Sequence, residues 1–205
     1  MKPRGAISTN GEYPNFQALL DAGEQEGLNF LRCVCDRGSV TTIIAPHGGR
    51  IEPHTDRIAA AIARDDLNFY RFEGIKSLHK GQTLHITSHY FDDPSCLSLV
   101  KKSDFVVAIH GLDRTDDRVD IGGLDCALRD AVYERLRQSG FSASIVTTGT
   151  HAARNVNNIC NRGRSGRGVQ LELAMGMRRN LRGKRLTAFA DAIREAINSR
   201  RDAPS

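Results

Sequence analysis

Val40-Thr41-Thr42-Ile43-Ile44-Ala45-Pro46-His47-Gly48-Gly49-Arg50-Ile51-Glu52-Pro53 carries the first decision about the fold. Its first half, Val40 to Ala45, is a short run rich in β-branched residues, the composition of a buried strand. Its second half breaks that strand with two prolines and two glycines. His47 and Glu52 therefore emerge at the strand's C-terminal end, where α/β proteins place ligand sites. The glycines let the backbone turn sharply and approach an ion or substrate closely. An imidazole and a carboxylate brought together in this way are two of the three protein ligands a catalytic zinc takes, with a position left for water. The H-x-x-x-x-E spacing alone is a weak signal; without corroboration it reads as a glycine-rich turn with a surface glutamate.

On either side of this stretch, strands and helices alternate. Leu28 to Asp36 alternates apolar and polar residues and predicts a strand. Thr55 or Asp56 is positioned to cap a helix with Ile58, Ala61 and Ile62 on one face. Asn68 to Phe72 and Thr83 to Thr87 read as further strands, and Phe105 to Ile109 is a continuous apolar run, as in a central strand covered on both faces. A helix with Leu124, Leu128, Val132 and Leu136 on one stripe follows, stopped at Gly140. Ser142 to Thr147 and Val169 to Leu173 are strands, and a last amphipathic helix gathers Leu186, Phe189, Ile193 and Ile197. The pattern predicts an α/β chain, three-layer α/β/α, with helices on both faces of an open mixed central sheet. Thr148 to Gly168 is long, rich in Gly, Asn and Arg and without periodicity, which in a compact domain marks a functional loop.

The chain has 205 residues, the size of one domain, and we read 1–205 as a single domain with flexible ends at 1–12 and 200–205. Hydrophobic residues make up 40% and charged residues 26%, a balance that argues against disorder. A net charge of +5 and a pI near 9.1 suit a polyanionic partner. The absence of Trp and a 6% aromatic content leave no obvious base-stacking surface for single-stranded nucleic acid. Five cysteines form no paired framework and read as buried free thiols in a reducing compartment. Met1 to Asn10 has no apolar stretch of the signal-peptide kind, and no run approaches the ~18 apolar residues of a membrane span. The expectation is a cytoplasmic protein where it is made, with no membrane partner.

His110 corroborates the metal reading. It ends the apolar run Phe105 to Ile109 and is followed by Gly111. Two strand ends, each delivering a histidine beside glycine, are the layout of a His₂Glu site, and we weigh this above a satisfied core histidine. Asp113, Asp116 and Asp117 read as solvated loop or supporting groups. Gln170 and Glu172 share one face of a late strand. From there Glu172 could take a proton from an activated water and pass it to a leaving amine, or it could simply be solvated. No G-x-S-x-G elbow is present, and no cysteine stands in an activating setting.

At these residues the sequence resembles the poly-γ-glutamate hydrolase family, associated with phages and related bacterial genes. The markers run in order from Tyr13-Pro14-Asn15 through Pro46-His47-Gly48-Gly49 with Ile51-Glu52. Leu84-His85-Ile86-Thr87-Ser88 with Phe91-Asp92 and Pro94 follows, and then His110-Gly111. Gly122-Gly123-Leu124, Asn158-Ile159 with Asn161-Arg162, and Gly168-Val169-Gln170-Leu171-Glu172 complete the series. The resemblance implies a zinc-carboxypeptidase-like core and an amidohydrolase cleaving γ-glutamyl amide bonds. It implies one zinc per chain on His47, Glu52 and His110, with Glu172 as general base and acid. Arg162 is the candidate for polarising the scissile carbonyl or clamping a carboxylate. Arg50, His85, Asn161 and Arg164 are the candidate substrate contacts. Arg50 stands where relatives carry glycine, and His89-Tyr90 where they carry Thr-His, so substrate identity stays open.

The partner expected is a γ-glutamyl polymer or a small acidic substrate, acted on by a monomer that lysis would release if the chain is phage-derived. Two rivals are a zinc deacylase of small N-acyl amino acids and a phage nucleic-acid-binding or replication accessory protein. The latter draws on the basic cluster Arg162, Arg164, Arg167, Arg178, Arg179, Arg182, Lys184 and Arg185, which usually makes a solvated face. It would need neither His-Gly strand end.

Overall fold

The computed structural model describes residues 12–76 and 84–202. In chain order the elements are α1 (Phe16–Asp21), β1 (Phe30–Cys35), β2 (Thr41–Gly49), α2 (Thr55–Ala63), β3 (Asn68–Gly74), α3 (Pro94–Val100) and β4 (Phe105–Leu112). They continue with β5 (Arg118–Gly123), α4 (Cys126–Gln138), β6 (Ser142–Ile145), β7 (Val169–Ala174), α5 (Met175–Asn180) and α6 (Gly183–Arg201). Between β6 and β7 the loop makes two short 3₁₀ turns, at Thr150–Ala152 and Ile159–Arg162.

The strands form one seven-stranded mixed sheet in the order β1-β3-β2-β4-β7-β5-β6. The inner strands β3, β2, β4 and β7 are parallel. β1 joins β3 antiparallel, and on the other side β5 joins β7 antiparallel and β6 pairs parallel with β5. Because side chains alternate along a strand, the inner strands are apolar on both faces. Ile43, Val107, Ile109, Leu171 and Leu173 meet Ile58 of α2, Leu128 of α4 and Phe189 and Ile193 of α6. Ile44, Tyr70, Phe72, Val106 and Ala108 meet Phe16 and Leu19 of α1 and Cys96 and Leu99 of α3 on the opposite side. Burying each such Leu, Ile or Phe side chain stabilises the fold by about 1.5–3 kcal/mol, which holds the three layers together. Among the described residues, no helix is long and apolar enough to cross a membrane.

The structure departs from the sequence reading in several places. Thr83 lies outside the described residues, and Leu84 to Thr87 is not a strand. Leu84 and Ile86 are buried, so the alternation is real, but they pack with α1 and α3. The backbone there bonds elsewhere: the His85 carbonyl accepts from Tyr13 N–H at 2.9 Å and the Ile86 carbonyl faces His47 Nε2 at 2.8 Å. Neither Thr55 nor Asp56 caps α2. Thr55 is its first residue, and the cap position is held by His54 in the left-handed region (φ 80°) without a side-chain cap. Of the predicted flexible ends, 1–11 and 203–205 lie outside the described residues, while α6 carries Arg200 and Arg201. The cysteines are free thiols, but only Cys96 and Cys160 are buried and Cys126 is exposed.

Candidate metal centre

β2 and β4 are paired only from Thr41–Ile44 to Phe105–Ala108. Beyond Ile44 they part, and the β2–β3 register shifts between Ala45 and Gly48. Pro46 cannot donate to a ladder, so a bulge is where a strand tolerates it, and a bulge re-aims the neighbouring side chain. His47 is thereby turned into the gap that opens beside His110. Gly49 then takes a positive φ (66°), and a Cβ there would stand 2.4 Å from the Gly74 carbonyl oxygen. Only glycine fits this turn. The turn closes with Glu52 N–H donating to the His47 carbonyl at 2.8 Å, which brings the carboxylate back to the imidazole.

His47 Nδ1 lies 2.9 Å from Glu52 Oε1 and 3.1 Å from His110 Nδ1, and His110 Nδ1 lies 3.7 Å from Glu52 Oε2. Gly111 N–H holds Glu52 Oε2 at 2.7 Å. His47 Nε2 faces the Ile86 carbonyl at 2.8 Å. A carbonyl only accepts, so Nε2 carries the hydrogen and, in the neutral ring, the Nδ1 lone pair faces Glu52 and His110. Three electron-rich atoms crowded together need a positive charge among them. Burial opposes a proton on His47, yet the Glu52 carboxylate outweighs it and raises the pKa. Burial would likewise raise Glu52, but the charge of His47 and the hydrogen bond from His110 hold its carboxyl well below the usual range. A tetrahedral metal with ligands at ~2.1 Å holds them ~3.4 Å apart, close to the separations here. The donor set therefore fits a metal ion.

His85 is the fourth donor in reach. Metal-binding atoms of His47, Glu52 and His85 lie within 4.8 Å of one another. The His85 ring lies over His47 with centroids 4.0 Å apart and planes at 38°, and its Nδ1 is 2.9 Å from Glu12 Oε1. Burial first, and then the charge of His47, push its pKa down to about 3. The His110 ring crosses that of His47 at 66°, with the two Nδ1 atoms 3.1 Å apart. His85 and His110 are thus both within reach as the second imidazole.

Glu172 pairs with His110 across β4–β7 and with Asp120 across β7–β5. Directly paired residues share a face, so His110, Glu172 and Asp120 form one row. All three are buried. Asn158 Nδ2 donates to Gln170 Oε1 at 2.9 Å, and Gln170 Nε2 donates to Glu172 Oε1 at 2.7 Å. This relay fixes the carboxylate. His151 Nδ1 lies 3.5 Å from the same oxygen, and the hydrogen bond to Glu172 raises the His151 pKa against partial burial. Asp120 is committed to Arg114 and Arg118, at 2.8 and 3.0 Å. His110, Glu172, Gln170 and Asn158, but not Asp120, line a cleft of about 300 Å³ walled also by His47, His85, His89 and His151, by Glu12 and Glu52, and by polar neutral residues. No lysine or arginine is among its described lining residues.

Of the residues singled out in the sequence, the fold brings together His47, Glu52, His85, His110 and Glu172. The others stand elsewhere. Arg162 donates to the Phe91 carbonyl at 3.3 Å and lines a separate depression with Asp92 and Lys101. Arg164 pairs with Asp104 at 2.8 Å, and Arg50 is exposed outside the cleft lining. Asn161 is committed to backbone groups, Leu124 N–H among them. Its Nδ2 donates to the Ala153 and Asn155 carbonyls, and its Oδ1 accepts from Gly168 N–H at 3.0 Å. Thr150 and His151, which the sequence does not single out, and Asn158, which it gives only as a family marker, come from the loop marked as functional. Gln170 was legible only as a neighbour of Glu172 on one strand face.

Residues 13–195 match the family described as poly-gamma-glutamate hydrolase. The chain belongs to the poly-gamma-glutamate hydrolase family. It is therefore a hydrolase acting on γ-glutamyl amide bonds. The UPF0714 protein YndL of Bacillus subtilis is 31% identical over 182 residues, covering 88% of this chain and 71% of YndL. The SPbeta prophage-derived protein YoqZ of the same organism is 33% identical over 171 residues, covering 83% of this chain and 61% of YoqZ. Among solved structures, a bacteriophage poly-gamma-glutamate hydrolase superposes with a TM-score of 0.86 at 28% identity, over 92% of this chain and 97% of that one. A zinc-free apo form of YndL superposes with a TM-score of 0.82 at 27% identity, over 92% and 98%.

Proposed function

We propose that this member of the family is a zinc-dependent amidohydrolase of poly-γ-glutamate. In this reading one zinc is held by His47, Glu52 and His110, and Glu172 is the general base and acid. The observation that carries it is the convergence of His47 Nδ1, His110 Nδ1 and the Glu52 carboxylate within 2.9–3.7 Å, one strand away from Glu172. Two imidazoles and a carboxylate suit zinc, and the zinc-free form of YndL supports that choice. When bound, zinc supplies Lewis acidity, making water acidic near neutral pH and polarising an amide carbonyl.

The protein's own groups do the rest. Glu172 accepts a proton from the attacking water as its oxygen bonds to the amide carbon. It returns that proton to the γ-amide nitrogen as the C–N bond breaks. Gln170 and Asn158 keep the carboxylate oriented during both transfers. With no cationic side chain of lysine or arginine in the described lining, the substrate's α-carboxylates would meet histidine. His151, half exposed and with its pKa raised by Glu172, stands beside Glu172, and His85 flanks His47 across the cleft. Nothing in the site calls for nucleic acid. Of the basic cluster, Arg178 is buried and Arg185 pairs with Asp117 at 2.7 Å.

The test is release of new amino groups from poly-γ-glutamate by the zinc-loaded protein, by the chelator-stripped protein and after zinc is restored. Activity should vanish and return. Hydrolysis that survives complete metal removal would remove the metal from the reading. Cleavage of N-acyl amino acids with none of the polymer would move the assignment to the deacylase.

A further inference from the structure

Arg178 in α5 is 2% exposed and is among the largest fully buried side chains of the molecule. Among the described residues, no carboxylate lies within ion-pair distance of it. A buried cation without hydrogen bonds would cost several kcal/mol, so its neighbours must answer for it. They are three backbone carbonyls. Nη1 donates to Pro53 at 2.7 Å, Nη2 to Leu112 at 3.0 Å and Nε to Leu173 at 3.1 Å.

The identity of those carbonyls is the point. Pro53 directly follows Glu52, Leu112 lies two residues past His110, and Leu173 directly follows Glu172. One planar group therefore joins the three segments that carry a carboxylate donor, an imidazole donor and the proton carrier. These segments need such a tie, because β2 leaves β4 beyond Ile44 and sheet hydrogen bonds no longer hold the β2 end to β4. The glycine after His110 has the same explanation. A Cβ on Gly111 would lie 2.5 Å from the guanidinium carbon, so only glycine lets the plane lie flat across the strand end. Gly111 N–H meanwhile holds Glu52 from the same spot. Burial lowers the Arg178 pKa, and the charges of Glu52, Asp113 and Glu172 oppose that fall.

We infer that Arg178 is a positioning residue, fastening the carbonyls of Pro53, Leu112 and Leu173 so that Glu52, His110 and Glu172 converge in metal-binding and catalytic register. The inference rests on the metal reading of the preceding section. Lysine keeps the charge but not the fork, since one ammonium cannot serve three carbonyls in the geometry of a guanidinium.

The experiment compares the full-length wild type with Arg178→Lys and Gly111→Ala. The second variant keeps the cation and the Gly111 N–H but drives a methyl group into the guanidinium. Zinc affinity is measured by competition with a chromophoric chelator, melting on the metal-stripped proteins, and kcat and KM on poly-γ-glutamate. We expect at least one variant to melt cooperatively without metal. Its zinc affinity should be weakened roughly 10- to 100-fold, as for other residues that orient metal ligands. Its kcat should be lowered at least tenfold, with KM changed far less. A folded variant with a lower Tm but wild-type zinc affinity and kcat would overturn the inference, because a purely structural arginine moves only the Tm. Failure of both variants to fold would also overturn it, because it would make Arg178 a core residue of the fold as a whole. A wild type that binds no zinc would instead bring down the metal reading, and the inference with it.

Discussion

Replacing Glu172 with Gln isolates proton transfer from everything else that Glu172 does. Glutamine has the same shape, and its amide oxygen can keep the 2.7 Å hydrogen bond from Gln170 Nε2. What goes is the basic carboxylate. The negative charge opposite Asp120 goes with it, which relieves a like-charge pair across β5 and β7. The contact to His151 is weakened, but that side chain is 51% exposed and solvent screens the loss. The net change in stability should therefore stay within about 1 kcal/mol, a degree or two to a few degrees in Tm. Catalysis should suffer much more. A positioned acid–base group contributes roughly a hundred- to ten-thousand-fold, about 2.7–5.5 kcal/mol in the barrier. The assay is initial rate of amine release from poly-γ-glutamate on protein shown by metal analysis to hold zinc as the wild type does. A rate within threefold of wild type would refute the assignment. Asp120→Asn serves as the control, since Asp120 stands in the same row but is committed to Arg114 and Arg118. A large loss in that variant alone would exchange the two roles.

His151 has a folded pKa raised above the ordinary ~6.5, so its interaction with Glu172 stabilises the fold fully below ~pH 6.5 and is lost as pH rises through the raised value. The difference in Tm between wild type and His151→Asn should shrink as pH increases across that window, and a constant difference would contradict the pairing. Arg162→Ala, which removes a 3.3 Å bond to the Phe91 carbonyl outside the cleft, should cost about 1 kcal/mol of stability and leave kcat within about threefold. A hundredfold fall in kcat would restore its role at the scissile carbonyl. Gln170→Leu should lower kcat with little change in KM, because it releases Glu172 from the relay that begins at Asn158. An unchanged kcat would mean the relay is not needed.

The parts of this molecule that were legible in sequence are those governed by local pattern. β4 and β7 are apolar runs, and the break after Ala45 is written in proline and glycine, so the row of strand ends carrying His47, His110 and Glu172 could be read directly. β5 was missed because Arg118-Val119-Asp120-Ile121-Gly122-Gly123 looks polar. Its Val119 and Ile121 face the core while Asp120 shares the face of Glu172. Thr83 to Thr87 misled for the opposite reason: it has strand alternation, but its apolar residues pack with α1 and α3 and the sheet does not take it up. The arginines were assigned to the substrate on the family resemblance and on the charge and shape of the guanidinium, and none of these says which way a loop residue faces. Arg178 illustrates the limit. In a basic run it reads as one more solvated residue, and only three carbonyls from distant segments make it a buried clamp.

The central claim is the identity of the metal's second imidazole, because both His110 and His85 lie within reach of His47 and Glu52. Zinc per chain, measured by elemental analysis after equilibration against a weak chelator, tests it on His110→Ala and His85→Ala side by side. His110→Ala should lose the ion and His85→Ala should keep one per chain. Zinc retained at one per chain in His110→Ala, with loss in His85→Ala, would contradict it.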